Sequence, residues 1–175
     1  MFKFSYNGND FWIEEYKIYD SETNKQVTFE QAKELASYYV KSLNFNNMSK
    51  ELVKEGIEFA YMYEDFEDVP KLIRVYFERE DVEEGEKKLI IPRLAECYRR
   101  TDPNKAINLY HYIREVYGDY LISTEFIMEV ANALCDLKKY EEAKEMCEWA
   151  YNLRKPNIEA ILEVYKRIQK ETGEI

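Results

Sequence analysis

Few side chains in this sequence are of the types that carry covalent or metal chemistry. It has one histidine, His111, and three cysteines, Cys97, Cys135 and Cys147, none of which form a Cys-x-x-Cys pair. A single histidine cannot supply a two-histidine metal site. The glycine-rich phosphate loop, the Gly-x-Ser-x-Gly motif and the His-Glu-x-x-His motif are absent. We therefore expect no catalytic residues, no metal and no cofactor, and a protein that is not an enzyme.

Two alternatives with chemistry stay open. Cys97 has Arg93 and Arg100 within a turn of helix, and nearby positive charge lowers the pKa of a thiol; His111 would be the base of a Cys–His pair. An enzyme that uses carboxylate acid–base chemistry is the other alternative, although Glu14 and Glu15 alternate faces on a strand and do not converge. We expect instead that the thiols are buried and reduced and that His111 is an ordinary helix residue.

Acidic residues are concentrated in residues 64–86, which contain ten acids and three bases. This window carries a net charge of −7 in a chain whose formal net charge is −10. It is either a set of solvated loops or a docking face for a basic partner, the latter formed by Glu78, Glu80, Asp81, Glu83, Glu84 and Glu86. Calcium binding is a weaker option, because the Asp-x-Asp-x-Asp-Gly spacing is missing.

Composition excludes several classes of protein. A net charge of −10 disfavours direct nucleic-acid binding, which requires basic surface. No apolar run approaches the roughly 20 residues that span a bilayer, so no membrane partner is expected. The first residues lack the apolar core of a signal peptide, and the odd number of cysteines favours reduced thiols. We therefore expect a cytoplasmic protein.

The first elements are predicted to be strands. Aromatic and polar residues alternate on both sides of Asn7-Gly8, the strongest short-range signal of a hairpin. The pattern predicts strands over 2–6 and 11–19, within an N-terminal β-hairpin region, residues 1–27, that packs on the helices. Its outer strand is an open edge that would allow pairing with a second copy, so a homodimer is possible.

From Thr28 the apolar period becomes helical, and residues 28–175 are predicted to form one helical domain. Thr28 and Gln31 form a capping box, and prolines mark several other helix boundaries. The predicted helices are 29–43, 49–64, 69–79, 88–100, 103–117, 124–137, 140–153 and 157–171. Pro92 requires the fourth of these helices to begin near Ile90 or to kink.

The helical part contains an internal repeat. Ala60 with Tyr63, Ala95 with Tyr98, and Ala131 with Leu134 recur at intervals of 35 and 36 residues. Periods of this size indicate stacked helical hairpins. Small residues allow two helices to approach closely, and the residue one turn later fills the groove between them. An irregular helical bundle with chance periodicity is the alternative.

The strongest repeat resembles the tetratricopeptide repeat (TPR) family. Residues 130–143 carry the resemblance, which is clearest in the Tyr-Glu-Glu-Ala that ends this stretch and continues through Cys147, Ala150 and Pro156. The earlier repeats depart from the pattern, since Leu72 replaces a small residue. The resemblance implies repeats over about 49–80, 88–117 and 124–156 and a capping helix over 157–171. The predicted fold is therefore mainly α, a TPR-like α-solenoid of stacked antiparallel helical hairpins with a small N-terminal β-hairpin.

The resemblance also implies a concave groove, lined by the first helix of each repeat, that binds a peptide or partner protein. Its predicted contacts are Tyr61, Arg93, Glu96, Arg99, Arg100, Met128, Asn132 and Asp136. Asn132 matches an asparagine with which some family members grip a C-terminal carboxylate, but Met128 stands where their lysine would be. The predicted function is a non-catalytic protein–protein interaction scaffold. The alternative is an acidic inhibitor or nucleic-acid mimic that occupies a basic site on its partner through residues 64–86.

Overall fold

The computed structural model describes residues 1–153 and 156–173. It is mainly helical with a small antiparallel sheet at the N-terminus, which confirms the predicted fold class. Its contacts form two compact units, Met1–Asp81 and Val82–Ile175. The predicted division into residues 1–27 and 28–175 stays a prediction, and 154–155 and 174–175 lie outside the described residues.

The sheet of the first unit has three strands, β1 Phe2–Tyr6, β2 Asn9–Glu14 and β3 Lys17–Asp20, in the order β1-β2-β3. The predicted turn at Asn7-Gly8 is confirmed, with φ values of 51° and 79°.

The prediction of one strand over 11–19 is wrong, because a second turn at Glu15-Tyr16 divides it. In a continuous strand, Ile13 and Ile18 would point to opposite faces, since they are five residues apart. The turn places the two isoleucines opposite each other in the ladder, and both are buried. Burial of both side chains therefore favours a hairpin over a long strand.

Three helices complete the first unit: α1 Phe29–Ser42, α2 Lys50–Met62 and α3 Val69–Phe77. The predicted capping box starts α1. The backbone N–H of Gln31 donates to Thr28 Oγ1 (3.3 Å), and the backbone N–H of Thr28 donates to Gln31 Oε1 (3.2 Å). The sheet packs on α1 through aromatic rings, with the centroids of Phe4 and Tyr39 5.3 Å apart.

The second unit consists of five helices: α4 Glu84–Thr101, α5 Pro103–Val116, α6 Thr124–Asp136, α7 Tyr140–Tyr151 and α8 Ile158–Thr172. α4 begins four residues earlier than predicted because Glu83 and Glu86 form a capping box. It continues through Pro92, so the prediction of a later start near Ile90 is wrong. None of the helices in the described residues is long and apolar enough to cross a membrane.

Small residues lie where the helices of the second unit meet. α6 packs against α4, α5, α7 and α8. Ala95, Ala106, Ala131 and Ala143 are fully buried, as is Ala60 in the first unit. α4 pairs with α5, α6 pairs with α7, and α8 contacts both helices of the second pair. Successive helical hairpins therefore nest, with the first helix of each hairpin beside the first helix of the next.

Candidate functional site

The residues of the predicted groove belong to both compact units. Tyr61 lies in the first unit, where its ring meets the ring of Phe66 at a centroid distance of 6.4 Å. The other seven residues lie on α4 and α6 of the second unit. The candidate site described below is built from those seven and from the side chains that contact them.

Arg99 connects α4 to α6. Its Nε donates to Glu129 Oε2 (2.9 Å), and its Nη1 lies 3.6 Å from Asp136 Oδ2. The side chains of Arg99, Glu129 and Asp136 are only 19%, 24% and 26% exposed. Ion pairs that are this shielded from water hold their geometry better than fully exposed pairs. Two predicted peptide contacts, Arg99 and Asp136, thus bind each other.

Arg167 extends the same network from α6 to α8. Its Nη2 donates to Asp136 Oδ1 (2.6 Å), its Nη1 to Asn132 Oδ1 (3.1 Å) and its Nε to Glu171 Oε1 (2.8 Å). Glu171 Oε2 also accepts a hydrogen bond from the Tyr140 hydroxyl (3.1 Å). The network therefore spans α4, α6 and α8, the three helices that lie side by side.

Arg167 is not among the residues predicted from the sequence, although the repeat spacing gives a signal for it. Residue 167 follows Ala131 by the same 36 residues that separate Ala131 from Ala95. The two earlier repeats have alanine at this position, which allows close helix packing. A long charged side chain there indicates a polar contact instead. Two of its acceptors, Asn132 and Asp136, lie on α6, and the sequence alone does not show that α6 and α8 are neighbours.

The charged groups of this network are two guanidinium groups, Arg99 and Arg167, and three carboxyl groups, Glu129, Asp136 and Glu171. Burial raises the pKa of Glu129, and the charge of Arg99 opposes that shift. Partial burial disfavours the charged form of Arg167, but Glu171 and Asp136 outweigh it and raise the pKa of the guanidinium. The hydrogen bond from Arg167 lowers the pKa of Glu171. The arrangement joins α4, α6 and α8 through charged side chains.

Met128 and Asn132 do not present free contacts to a partner. The prediction that Met128 is exposed is wrong, because α6 turns this side chain into the core, where 5% of it is exposed. The Asn132 Nδ2 donates to the carbonyl oxygen of Met128 (3.0 Å), and its Oδ1 accepts from Arg167. The asparagine that resembles a carboxylate clamp is engaged inside the unit.

Arg93, Glu96 and Arg100 are the predicted groove residues at the α4 surface. Arg100 Nη2 lies 3.5 Å from Glu96 Oε1, one turn away, and half of its side chain is exposed. Arg93 lies seven residues before Arg100, on the same face of α4, and is partly exposed. We call these three side chains the α4 face, in which Arg100 is the most exposed and Glu96, at 18% exposed, is mostly covered.

The predicted acidic docking residues serve mainly local structure. Asp81 accepts two hydrogen bonds from Arg79 (2.8 and 2.9 Å), and Glu84 accepts one from the Tyr120 hydroxyl (3.0 Å). Glu83 and Glu86 form the capping box that begins α4. Glu78 and Glu80 are exposed and make no ion pair within the described part of the chain. Glu78, Glu80 and Asp81 belong to the first unit, whereas Glu83, Glu84 and Glu86 belong to the second.

Two other acids of the 64–86 window are largely removed from solvent. Asp68 accepts hydrogen bonds from Ser37 Oγ (3.3 Å) and Lys71 Nζ (3.1 Å), and Lys41 Nζ lies 3.4 Å from it. The Oδ2 atom of Asp65 is buried without a hydrogen-bond donor. Sequence reasoning counted both as surface acids, and the periodicity of the window gives no signal of their burial.

The side chains considered for chemistry are poorly placed for it. Cys97, Cys135 and Cys147 are buried, and burial raises the pKa of Cys97 and of Cys147 to about 12. Such thiols are protonated at neutral pH and are poor nucleophiles. His111 is exposed on α5 with its ring against Tyr110 (5.2 Å). In the residues with described positions, no group of three His, Cys, Asp or Glu side chains could hold a metal.

Comparisons of this chain with protein-family models, with curated proteins and with solved structures find no match.

Proposed function

We propose that this chain is a non-catalytic interaction scaffold that binds a peptide or a segment of a partner protein through a TPR-like surface of its second unit. The observation that carries the proposal is the row of first helices, α4, α6 and α8, which the Arg99–Asp136–Arg167 network holds side by side. A row of helices with fixed spacing is how repeat proteins build an extended binding surface. A cytoplasmic location is part of this proposal, as is a homodimer through the β1 edge.

The α4 face supplies the proposed contacts. Arginine pairs with carboxylates through two parallel hydrogen bonds, so Arg93 and Arg100 fit an acidic partner segment. The other polar residues of the predicted groove hold the helices in place rather than contact the partner. Arg99 contacts Asp136, and both Asn132 and Asp136 accept hydrogen bonds from Arg167. This division differs from the groove expected from the sequence, in which all of these residues contact the partner.

The alternative of an acidic inhibitor or nucleic-acid mimic has less support. A mimic needs many unengaged acids on one surface, but Asp81, Glu83, Glu84 and Glu86 are hydrogen-bonded within their own unit. Asp65 and Asp68 are withdrawn from the surface. These hydrogen-bonded and buried acids therefore favour the binding scaffold over the acidic mimic.

A charge reversal tests the proposal. The double variant Arg93→Glu with Arg100→Glu is compared with wild type by affinity capture and quantitative mass spectrometry. We expect it to lose about tenfold or more of the retained partner, since two charge-assisted contacts become repulsive. Far-UV circular dichroism and thermal unfolding check that the helices persist.

The matched control is Lys105→Glu with Lys139→Glu, which changes the net charge equally. Lys105 is exposed on α5 and Lys139 precedes α7, so both lie outside the α4 face. The control variant should retain the partner at the level of wild type. Equal retention by both double variants would contradict the proposed role of the α4 face.

A further inference from the structure

An apolar cavity of about 420 Å³ lies within the first unit, between the sheet and helices α1 and α2. Its floor consists of Ile13, Val40 and Phe59, which are buried. Leu43 and Met48 are half-buried in its walls. Cavities that hold small organic ligands have volumes of roughly 300–1,000 Å³ and mainly apolar walls. The size and lining of this cavity fit a small molecule.

The mouth of the cavity is acidic. Glu14, Glu15 and Glu55 belong to its lining, and the one positive group among the lining residues is the α-ammonium of Met1, since no lysine, arginine or histidine lines the cavity. The side chains of all three glutamates are exposed, and none of these side chains makes a hydrogen bond or an ion pair to the described residues. This is unlike the acids of the second unit described above, which are hydrogen-bonded to their neighbours. The cavity therefore combines an apolar interior with unpaired negative charge at its opening.

The turn that bears two of the lining residues is strained. Glu15 and Tyr16 have φ values of 48° and 64°, a region in which side chains other than Asn and Gly are disfavoured. The first turn of the same sheet has Asn7 and Gly8 at the equivalent positions, where the conformation is relaxed. The Tyr63 hydroxyl donates to the carbonyl oxygen of Tyr16 (2.6 Å) and fixes the second turn. Strain of this kind concentrates at functional sites.

One wall residue has an unused polar group. Tyr39 lines the cavity, and its ring packs against Phe4 and Phe59. Its hydroxyl makes no hydrogen bond to any residue that the structure describes, and burial raises the pKa of this hydroxyl. The hydroxyl is thus protonated at neutral pH and has a hydrogen bond to give to a ligand.

We propose that this cavity binds a small organic amine, with its apolar body against Ile13, Val40 and Phe59 and its ammonium group among Glu14, Glu15 and Glu55. Complementary charge identifies the ligand as cationic, since an anion would meet three carboxylates at the mouth. The apolar floor requires an aromatic or branched aliphatic body, because a purely polar cation would gain nothing by entering. This site is separate from the α4 face and does not depend on its function.

Three probes with the same aromatic body test the proposal: naphthylethylamine, naphthylethanol and naphthylacetate, titrated into the full chain by calorimetry. We expect the amine to bind about tenfold more tightly than the acetate, because each exposed ion pair adds only a few-fold to the affinity. Backbone amide shifts in the NMR spectrum should change at the turn Glu15-Tyr16 and along α1 and α2. Absence of any preference for the amine, or shifts confined to other parts of the chain, would overturn the proposal.

Two triple variants identify the carboxylates. Replacing Glu14, Glu15 and Glu55 by Gln should remove the preference for the amine and leave the affinity for naphthylethanol unchanged. The control replaces Glu22, Glu30 and Glu67 by Gln, three exposed acids of the first unit outside the cavity lining, and should retain the preference. A preference that survives the first triple variant would overturn the proposal.

Discussion

The pKa values of two aspartates in the first unit, Asp65 and Asp68, are shifted in opposite directions from the ordinary value. Burial, together with a hydrogen bond between the two carboxyl groups, raises the pKa of Asp65 to about 6. Burial also acts on Asp68, but the hydrogen bond with Asp65 and the charges of Lys71 and Lys41 outweigh it and lower the pKa of Asp68. Asp65 therefore keeps its proton to a higher pH than Asp68 does.

The raised pKa of Asp65 makes its contribution to stability depend on pH. The folded state binds this proton more tightly than the unfolded chain, so the free energy of unfolding falls as pH rises from about 4 to about 6. Asp68 has the opposite sign: its lowered pKa gives stability that is lost as pH falls from its ordinary value through the lowered pKa of the folded state. Above about pH 6 the buried charge on Asp65 is a net cost.

Asp65→Asn should relieve that cost. The amide is neutral at every pH and carries no buried charge, so we expect a gain of about 1 kcal/mol at pH 7.5 and no gain at pH 5. Urea unfolding followed by circular dichroism at the two pH values measures the difference. An equal loss of stability at both would mean that Asp65 is ionised throughout this range.

At the scale of elements, polar side chains join helices that also share an apolar core. Asp136 accepts from Arg167 on α8 and lies beside Arg99 on α4, and all three side chains are mostly shielded from solvent. Loss of the aspartate would leave two shielded guanidinium groups without a shared partner. Such a loss costs more than the loss of an exposed ion pair.

Asp136→Ala should lower the free energy of unfolding by about 2 kcal/mol. Its matched control is Asp119→Ala, which removes an exposed pair with Arg114 (2.8 Å) and should cost under about 1 kcal/mol. Urea unfolding measures both variants, and a double-mutant cycle with Arg167→Met isolates the pair. Equal costs for the two alanine variants would show that the network contributes no more than a surface ion pair.

Local signals made the helices predictable from the sequence. The eight predicted helices are all present among the described residues, with ends that differ by at most four residues. Capping residues such as Thr28 and Asp102 fix these ends through contacts within a few residues. Alanines at the repeat period likewise predicted the close helix contacts, because small side chains that recur at this spacing allow two helices to approach closely.

What the sequence could not predict depends on contacts between distant residues. Glu15-Tyr16 is not a turn sequence, and distant contacts explain the turn: the paired burial of Ile13 and Ile18 and the hydrogen bond from the Tyr63 hydroxyl to the Tyr16 carbonyl oxygen. Asp65 is buried by tertiary packing, which leaves no mark on the local pattern of charge. Of the predicted groove, Met128 points inward because the periodicity of α6 places buried residues on several of its faces.

Across the whole chain, some acidic side chains are hydrogen-bonded within the fold and others are exposed at the surface. Glu14, Glu15 and Glu55 surround a cavity, whereas the acids of α6 and α8 lock helices together. Acidic side chains also join parts of the first unit, where Asp68 contacts Ser37 and Lys41 of α1.

The most direct test of the scaffold proposal is amide hydrogen exchange of the whole chain, alone and with the partner retained in the capture experiment. A partner bound to the α4 face should slow exchange in α4 and in the adjoining part of α6, with α5 and α7 unchanged. Slowed exchange confined to α5 and α7, or to the first unit, would contradict the claim that the row of first helices is the binding surface.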